Sequence, residues 1–102
     1  MALSKTKSIS LGSPLHIYEG TIDLSAIPKG TAAMAEQDIT VTGVGASDMV
    51  VSFFCTDACT FGIANARVKA ANTVSIVPVS TDSDTDVDPA GTLNYRLIVI
   101  AG

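Results

Sequence analysis

The sequence predicts an all-β fold: a small antiparallel β-sandwich or barrel, jelly-roll-like, preceded by an extended N-terminal arm. Three observations predict it. Short β-prone runs are separated by Gly, Pro, Asn and Asp turns. Several of these runs alternate apolar and polar residues with a period of two. No stretch joins helical periodicity to the length a helix needs in water. At 102 residues the chain has one domain's length, and a chain of this size buries roughly two-thirds of the surface it exposes when unfolded. It is expected to fold without metal or disulfide.

Residues 1–14 are rich in Ser, Thr, Lys and Gly and show no sustained period. They read as an arm, ordered on contact with a partner and ending near Gly12-Ser13-Pro14, with residues 15–102 as the β domain. Residues 15–18 and 21–24 are β-prone, with Gly20 between them as a bulge or kink in one bent strand, or a break between two. Ala26-Ile27-Pro28-Lys29-Gly30 is a turn signal, and residues 31–37 are too short for a stable helix, so a loop or single helical turn fits. Ile39 and Val41 alternate with Thr40 and Thr42 as a half-buried strand, which residues 43–48 turn back. Residues 49–55 (MVVSFFC) place apolar groups on both faces, the pattern of a central strand or of one covered by another subunit.

Along residues 63–69, Ala64, Ala66 and Val68 face one way and Asn65, Arg67 and Lys69 the other, giving a cationic stripe. Ala70-Ala71-Asn72 connects to a strand over 73–77, and Pro78 removes a ladder donor, which suits an edge or a strand end. After a polar loop over 80–91, the last strand puts Leu93, Tyr95, Leu97 and Val99 on one face. Ile98 and Ile100 lie on the other, so its end is expected to be covered twice.

Hydrophobic residues make up 47% of the chain and charged residues only 16%, too few charges to coat a small domain, so apolar side chains are left for a partner. Net charge is -4, and Lys5 and Lys7 are the only charges in the first fourteen residues. The remainder holds four cations against ten carboxylates. An acidic body gains no counterion release on DNA or RNA, so no direct nucleic-acid partner is expected. No run approaches the ~20 apolar residues of a membrane span, so no membrane partner is expected and synthesis in the cytoplasm is.

No catalytic set is assembled, and the chain is read as a non-enzyme. The serines lack a Gly-x-Ser-x-Gly elbow, the glycines lack a phosphate loop, and His16 is the only histidine. Asp82, Asp84, Asp86 and Asp88 alternate and could converge on a hard cation, but the Gly and Glu of an EF-hand are missing, and a solvated acidic loop is the expectation. Cys55 and Cys59 offer two thiolates where zinc takes four ligands, so they are read as two thiols flanking a loop, with a disulfide as the alternative outside the cell. No cofactor or metal is expected.

A resemblance extends over residues 26–99. Ile27-Pro28, residues 35–44 (AEQDITVTGV), 48–51 (DMVV), 66–76 (ARVKAANTVSI) and 87–95 (VDPAGTLNY) come in the same order as in the small β domain of tailed-bacteriophage head decoration (cement) proteins and related head fibres, which the chain resembles. Two loops depart from that pattern: residues 55–59 replace an apolar loop, and residues 80–86 are more acidic. The resemblance implies a virion protein on the outer capsid surface that bridges neighbouring major capsid proteins, with its arm along the shell. On this reading Lys5, Lys7, Ile9, Arg67 and Lys69 are candidate capsid contacts. Phe53, Phe54, Ile98 and Ile100 are candidates for the interface of a homo-oligomer, a trimer as the leading expectation. The alternative is a fibre or host-recognition module binding a cell-surface glycan, for which the chain has five aromatics and no Trp.

Overall fold

The alternating runs form seven strands in the computed structural model, which describes residues 3–11, 13–29, 35–80 and 84–102. The strands are β1 (Leu3–Leu11), β2 (Ser13–Thr21), β3 (Gln37–Thr42), β4 (Met49–Cys55), β5 (Gly62–Ala70), β6 (Thr73–Val79) and β7 (Asn94–Ile100), and there is no helix among the described residues. They join one sheet in the order β4-β7-β2-β1-β3-β6-β5. The end strands β4 and β5 come back side by side across a shallow cleft of about 250 Å³ lined by residues 50–53 and 63–66. The sheet is thus a barrel that is nearly closed, and the all-β class read from the sequence is the observed one.

The core is filled from β2, β3, β4, β6 and β7, with Leu3 of β1 added to it. Tyr18, Ile39, Val41, Val74, Ile76 and Leu97 belong to a single buried cluster. In β7 the alternation is strict, with Tyr95, Leu97 and Val99 inside and Arg96, Ile98 and Ile100 half-exposed. Phe53 stacks on Tyr95 with ring centroids 5.5 Å apart and planes 7° apart, a contact that adds to the area both rings bury. Gly20 neither kinks nor ends β2, which keeps unbroken register with β7 from Leu15↔Ile100 to Thr21↔Asn94. Ile22 and Leu24 lie beyond the strand and still fill the core. The barrel's loops are tied by an isolated bridge in which Ile27 and Val87 exchange hydrogen bonds of 2.6 and 2.9 Å. Of the loop or helical turn expected over 31–37, residues 31–34 lie outside the described residues.

The N-terminal segment departs most from expectation. It is extended, but it is paired inside the sheet rather than free. β1 runs antiparallel to β2 and parallel to β3, through Leu3↔Val41 and Ser4↔Thr42, and Leu3 is fully buried. The sheet is therefore mixed, and no domain boundary falls at residue 14. Leu11 pairs with Ser13, so Ser13 and Pro14 open a second strand and do not end an arm. β4 is also not central: it is an end strand, with Met49 65% and Val51 59% exposed. Ala64 is exposed because a register shift between Ile63 and Asn65 turns it out of the inward row. Pro78 sits where β6 has passed its last β3 partner, Ile76↔Gln37, so its missing donor costs no hydrogen bond on that side.

One turn residue knits two loops together. Asn72 has φ 63°, the left-handed region that Asn tolerates better than most residues. Its side-chain oxygen accepts from the Gly43 amide at 2.9 Å, its carbonyl accepts from Val41 N and its own amide donates to Val44 O, both at 2.9 Å. Gly43, at φ 101°, completes this junction between the β3–β4 and β5–β6 turns. Replacing Asn72 by Ala keeps the strained φ and loses the side-chain acceptor, and about 1–3 kcal/mol of stability is expected to go with it in urea titration. Asn72→Gly relieves the φ and is expected to lose less.

Candidate interaction face

β7 buries Tyr95, Leu97 and Val99, and β2 buries Tyr18 opposite Leu97, so Arg96, Ile98 and Ile100 point outward together with Glu19, Ile17 and Leu15. Register places Met49, Ile100 and Leu15 in one line across β4, β7 and β2, with Ile98 beside Ile17 in the next. Leu15, Ile17, Ile98 and Ile100 are each half-exposed. The third line carries the charge: Phe54, Arg96 and Glu19 lie side by side, with Arg96 5.9 Å from the centre of the Phe54 ring and 2.9 Å from Glu19 Oε2. Thr6 Oγ1 donates to Glu19 at 2.7 Å. That bond, and after it the Arg96 contact, hold the Glu19 carboxyl below the usual carboxylate range. The result is an apolar face with a charged rim, the arrangement of a protein contact surface.

Of the oligomer-interface candidates, Phe54, Ile98 and Ile100 lie on this face, whereas Phe53 does not. Phe53 points into the barrel, 8% exposed, so its assignment is corrected to the core. The cause is a register shift between Val50 and Ser52. Val50 opposes Val99 and Phe53 opposes Leu97, so three residues of β4 span what two of β7 span. The extra residue, Val51, reverses the parity of the rest of the strand. Leu15, Ile17 and Met49 were not among the candidates, although the alternation of Leu15 and Ile17 with inward Tyr18 carried the signal.

The capsid-contact candidates divide. Arg67 and Lys69 are exposed on β5 but neutralised: Arg67 is held by Glu36 in a two-pronged contact of 2.7 and 2.9 Å, and Lys69 by Asp38 at 2.8 Å. Arg67 lies opposite Ser75 of β6, which lies opposite Asp38 of β3. The short Ser75 side chain lets both cations reach over the middle strand to the carboxylates beyond, while its own hydroxyl donates to Asp38. The hydrogen bond from Arg67 lowers the Glu36 carboxyl, and that from Lys69, with the Ser75 bond second to it, lowers Asp38. This stripe is an ion-pair ladder on the sheet surface, not a bare basic patch.

Lys5 and Lys7 sit differently. Both are exposed on β1, with no carboxylate in ion-pair contact among the described residues. From Lys5 to Leu11, β1 has only β2 as a sheet neighbour among the described residues, so its other edge is open. Ile9 lies on this edge opposite Leu15, and its side chain is outside the described residues.

The remaining candidates form no chemical centre. His16 Nδ1 is 3.0 Å from Ser8 Oγ, an exposed pair without an acidic third member among the described residues. Asp84, Asp86 and Asp88 are exposed, and Asp86 accepts the Lys29 amide at 2.9 Å. Asp82 lies outside the described residues. No group of three metal-ligating side chains comes together among the described residues, and no helix is long and apolar enough to cross a membrane. No known protein family, curated protein or solved structure matches this chain.

Proposed function

We propose that this chain is a capsid decoration (cement) protein, which binds the outer surface of a tailed-phage head and bridges neighbouring major capsid proteins as a homo-oligomer. The observation that carries the reading is the apolar outer face of β2, β7 and β4, formed by Leu15, Ile17, Met49, Ile98 and Ile100. A monomer gains nothing from leaving such a face half-exposed, whereas burying it in a joint of on the order of 1,600 Å² gives a specific contact. The open edge of β1 supports the same reading, since an unpaired strand edge accepts an added strand and Lys5 and Lys7 favour an acidic one. Many equal joints on a shell multiply a modest individual affinity. No bond is made or broken in this work.

Purified protein mixed with heads lacking it, then sedimented, is expected to pellet at a fixed number of copies per shell and to raise the temperature at which the heads release DNA. A protein that stays in the supernatant, monomeric at every concentration, refutes the proposal.

A further inference from the structure

The loop after β4 carries the chain's two cysteines, and the fold brings them together. Cys55 ends β4 half-buried and Cys59 is exposed. Both line a cavity of about 240 Å³ with Phe53, Phe54, Phe61 and Ile63. The loop between them is anchored to the start of β7. Thr56 N donates to Asn94 O at 2.8 Å, and the Asp57 carboxylate accepts from Asn94 N at 2.7 Å and from Asn94 Nδ2 at 3.2 Å. Beyond it, the Cys59 thiol reaches the Phe61 carbonyl at 3.5 Å. The chain thus doubles back, and the two cysteines border the same small cavity. Burial pushes the Cys55 thiol up and the adjoining Cys59 adds to it. The Tyr95 phenol, pushed up to about 12 mainly by burial, also feels both thiols, and its hydroxyl has no hydrogen-bond partner among the described residues.

We propose that Cys55 and Cys59 are a dithiol modification site that closes into an intramolecular disulfide on reaction with a small-molecule disulfide such as oxidised glutathione. Cys59, the exposed member, is the point of entry. Its thiolate attacks one sulfur of the small disulfide, that S–S bond breaks, one glutathione stays on Cys59 and the other leaves as a thiolate. The Cys55 thiolate then attacks the Cys59 sulfur and displaces the second glutathione. The protein gives up two electrons and two protons, and glutathione disulfide is reduced to two thiols. The loop is already folded around the pair, so ring closure requires little further ordering. Cytosolic thiol pools oppose the bond, and it forms where they are absent.

The test is to incubate the full-length protein with oxidised glutathione, quench by alkylation and measure the intact mass. Two thiols are expected to disappear, with a mass lower by two hydrogens, no retained glutathione and a single-chain band on a non-reducing gel. Cys55→Ser is expected to stop at the mixed disulfide on Cys59, which identifies the entry sulfur. The chain has no Trp, so its emission is tyrosine emission, and a disulfide beside Tyr95 is expected to quench it until reductant is added. Glutathione retained on both cysteines, disulfide-linked dimers, or two thiols still titratable overturns the proposal, and the wild-type mass alone decides this if a variant fails to fold.

Discussion

Deleting residues 1–11 is expected to abolish cooperative unfolding and leave an aggregating chain, because it removes a strand from inside the sheet. β1 lies between β2 and β3, so its loss opens an edge on each and exposes the wall of the barrel where Leu3 is fully buried. Leu3→Ala alone is expected to cost about 2–5 kcal/mol, a large share of the roughly 5–15 kcal/mol that holds a domain together. Chemical denaturation monitored by far-UV circular dichroism reads both effects. A free arm gives the opposite result: the truncated protein unfolds at the wild-type midpoint and has lost only its partner. Deletion at the N-terminus is therefore unsuited to mapping a contact, and substitutions of Lys5 and Lys7 on the open edge are the means of testing that edge.

The strands legible in the sequence were those whose alternation is backed by apolar side chains. In β3 and β7, Ile39 and Val41, and Tyr95, Leu97 and Val99, announce both the strand and its inner face, and the structure buries all five. β1 was not legible because Lys5, Thr6, Lys7 and Ser8 are exposed, and a polar composition resembles an arm until long-range pairing supplies its partners. In β4 the apolar run gave no parity, and one inserted residue at Val51 decided that Phe53 is core and Phe54 surface. The ladder of Arg67 and Lys69 depends on Glu36 and Asp38, 31 residues away in each pair, and on a serine small enough to be spanned. No local pattern holds that information. Ile98 and Ile100 were legible as the outer row of β7 because apolar residues on both faces of a strand's end demand two coverings, and the described residues leave both half-exposed.

Ile98→Asp, and separately Ile100→Asp, are expected to leave the barrel folded and to weaken shell binding and self-association at least about 30-fold, the effect of losing about 2 kcal/mol at a central contact. Ile98 is half-exposed and faces away from the core, so a carboxylate there keeps its hydration in the isolated chain and loses it only when the face is covered. The cost falls on the joint and spares the monomer. Phe53→Ala should do the reverse, lowering stability by about 3–5 kcal/mol through the cavity left against Tyr95, with binding impaired only as far as folding is. Thr40→Asp, an exposed position on β3 in the other half of the sheet, is expected to change neither. Thermal melts and sedimentation with heads, run on all four proteins, separate the two roles. If Ile98→Asp melts as low as Phe53→Ala, or binds as tightly as Thr40→Asp, the outer face of β2, β7 and β4 is not where this protein meets its partner.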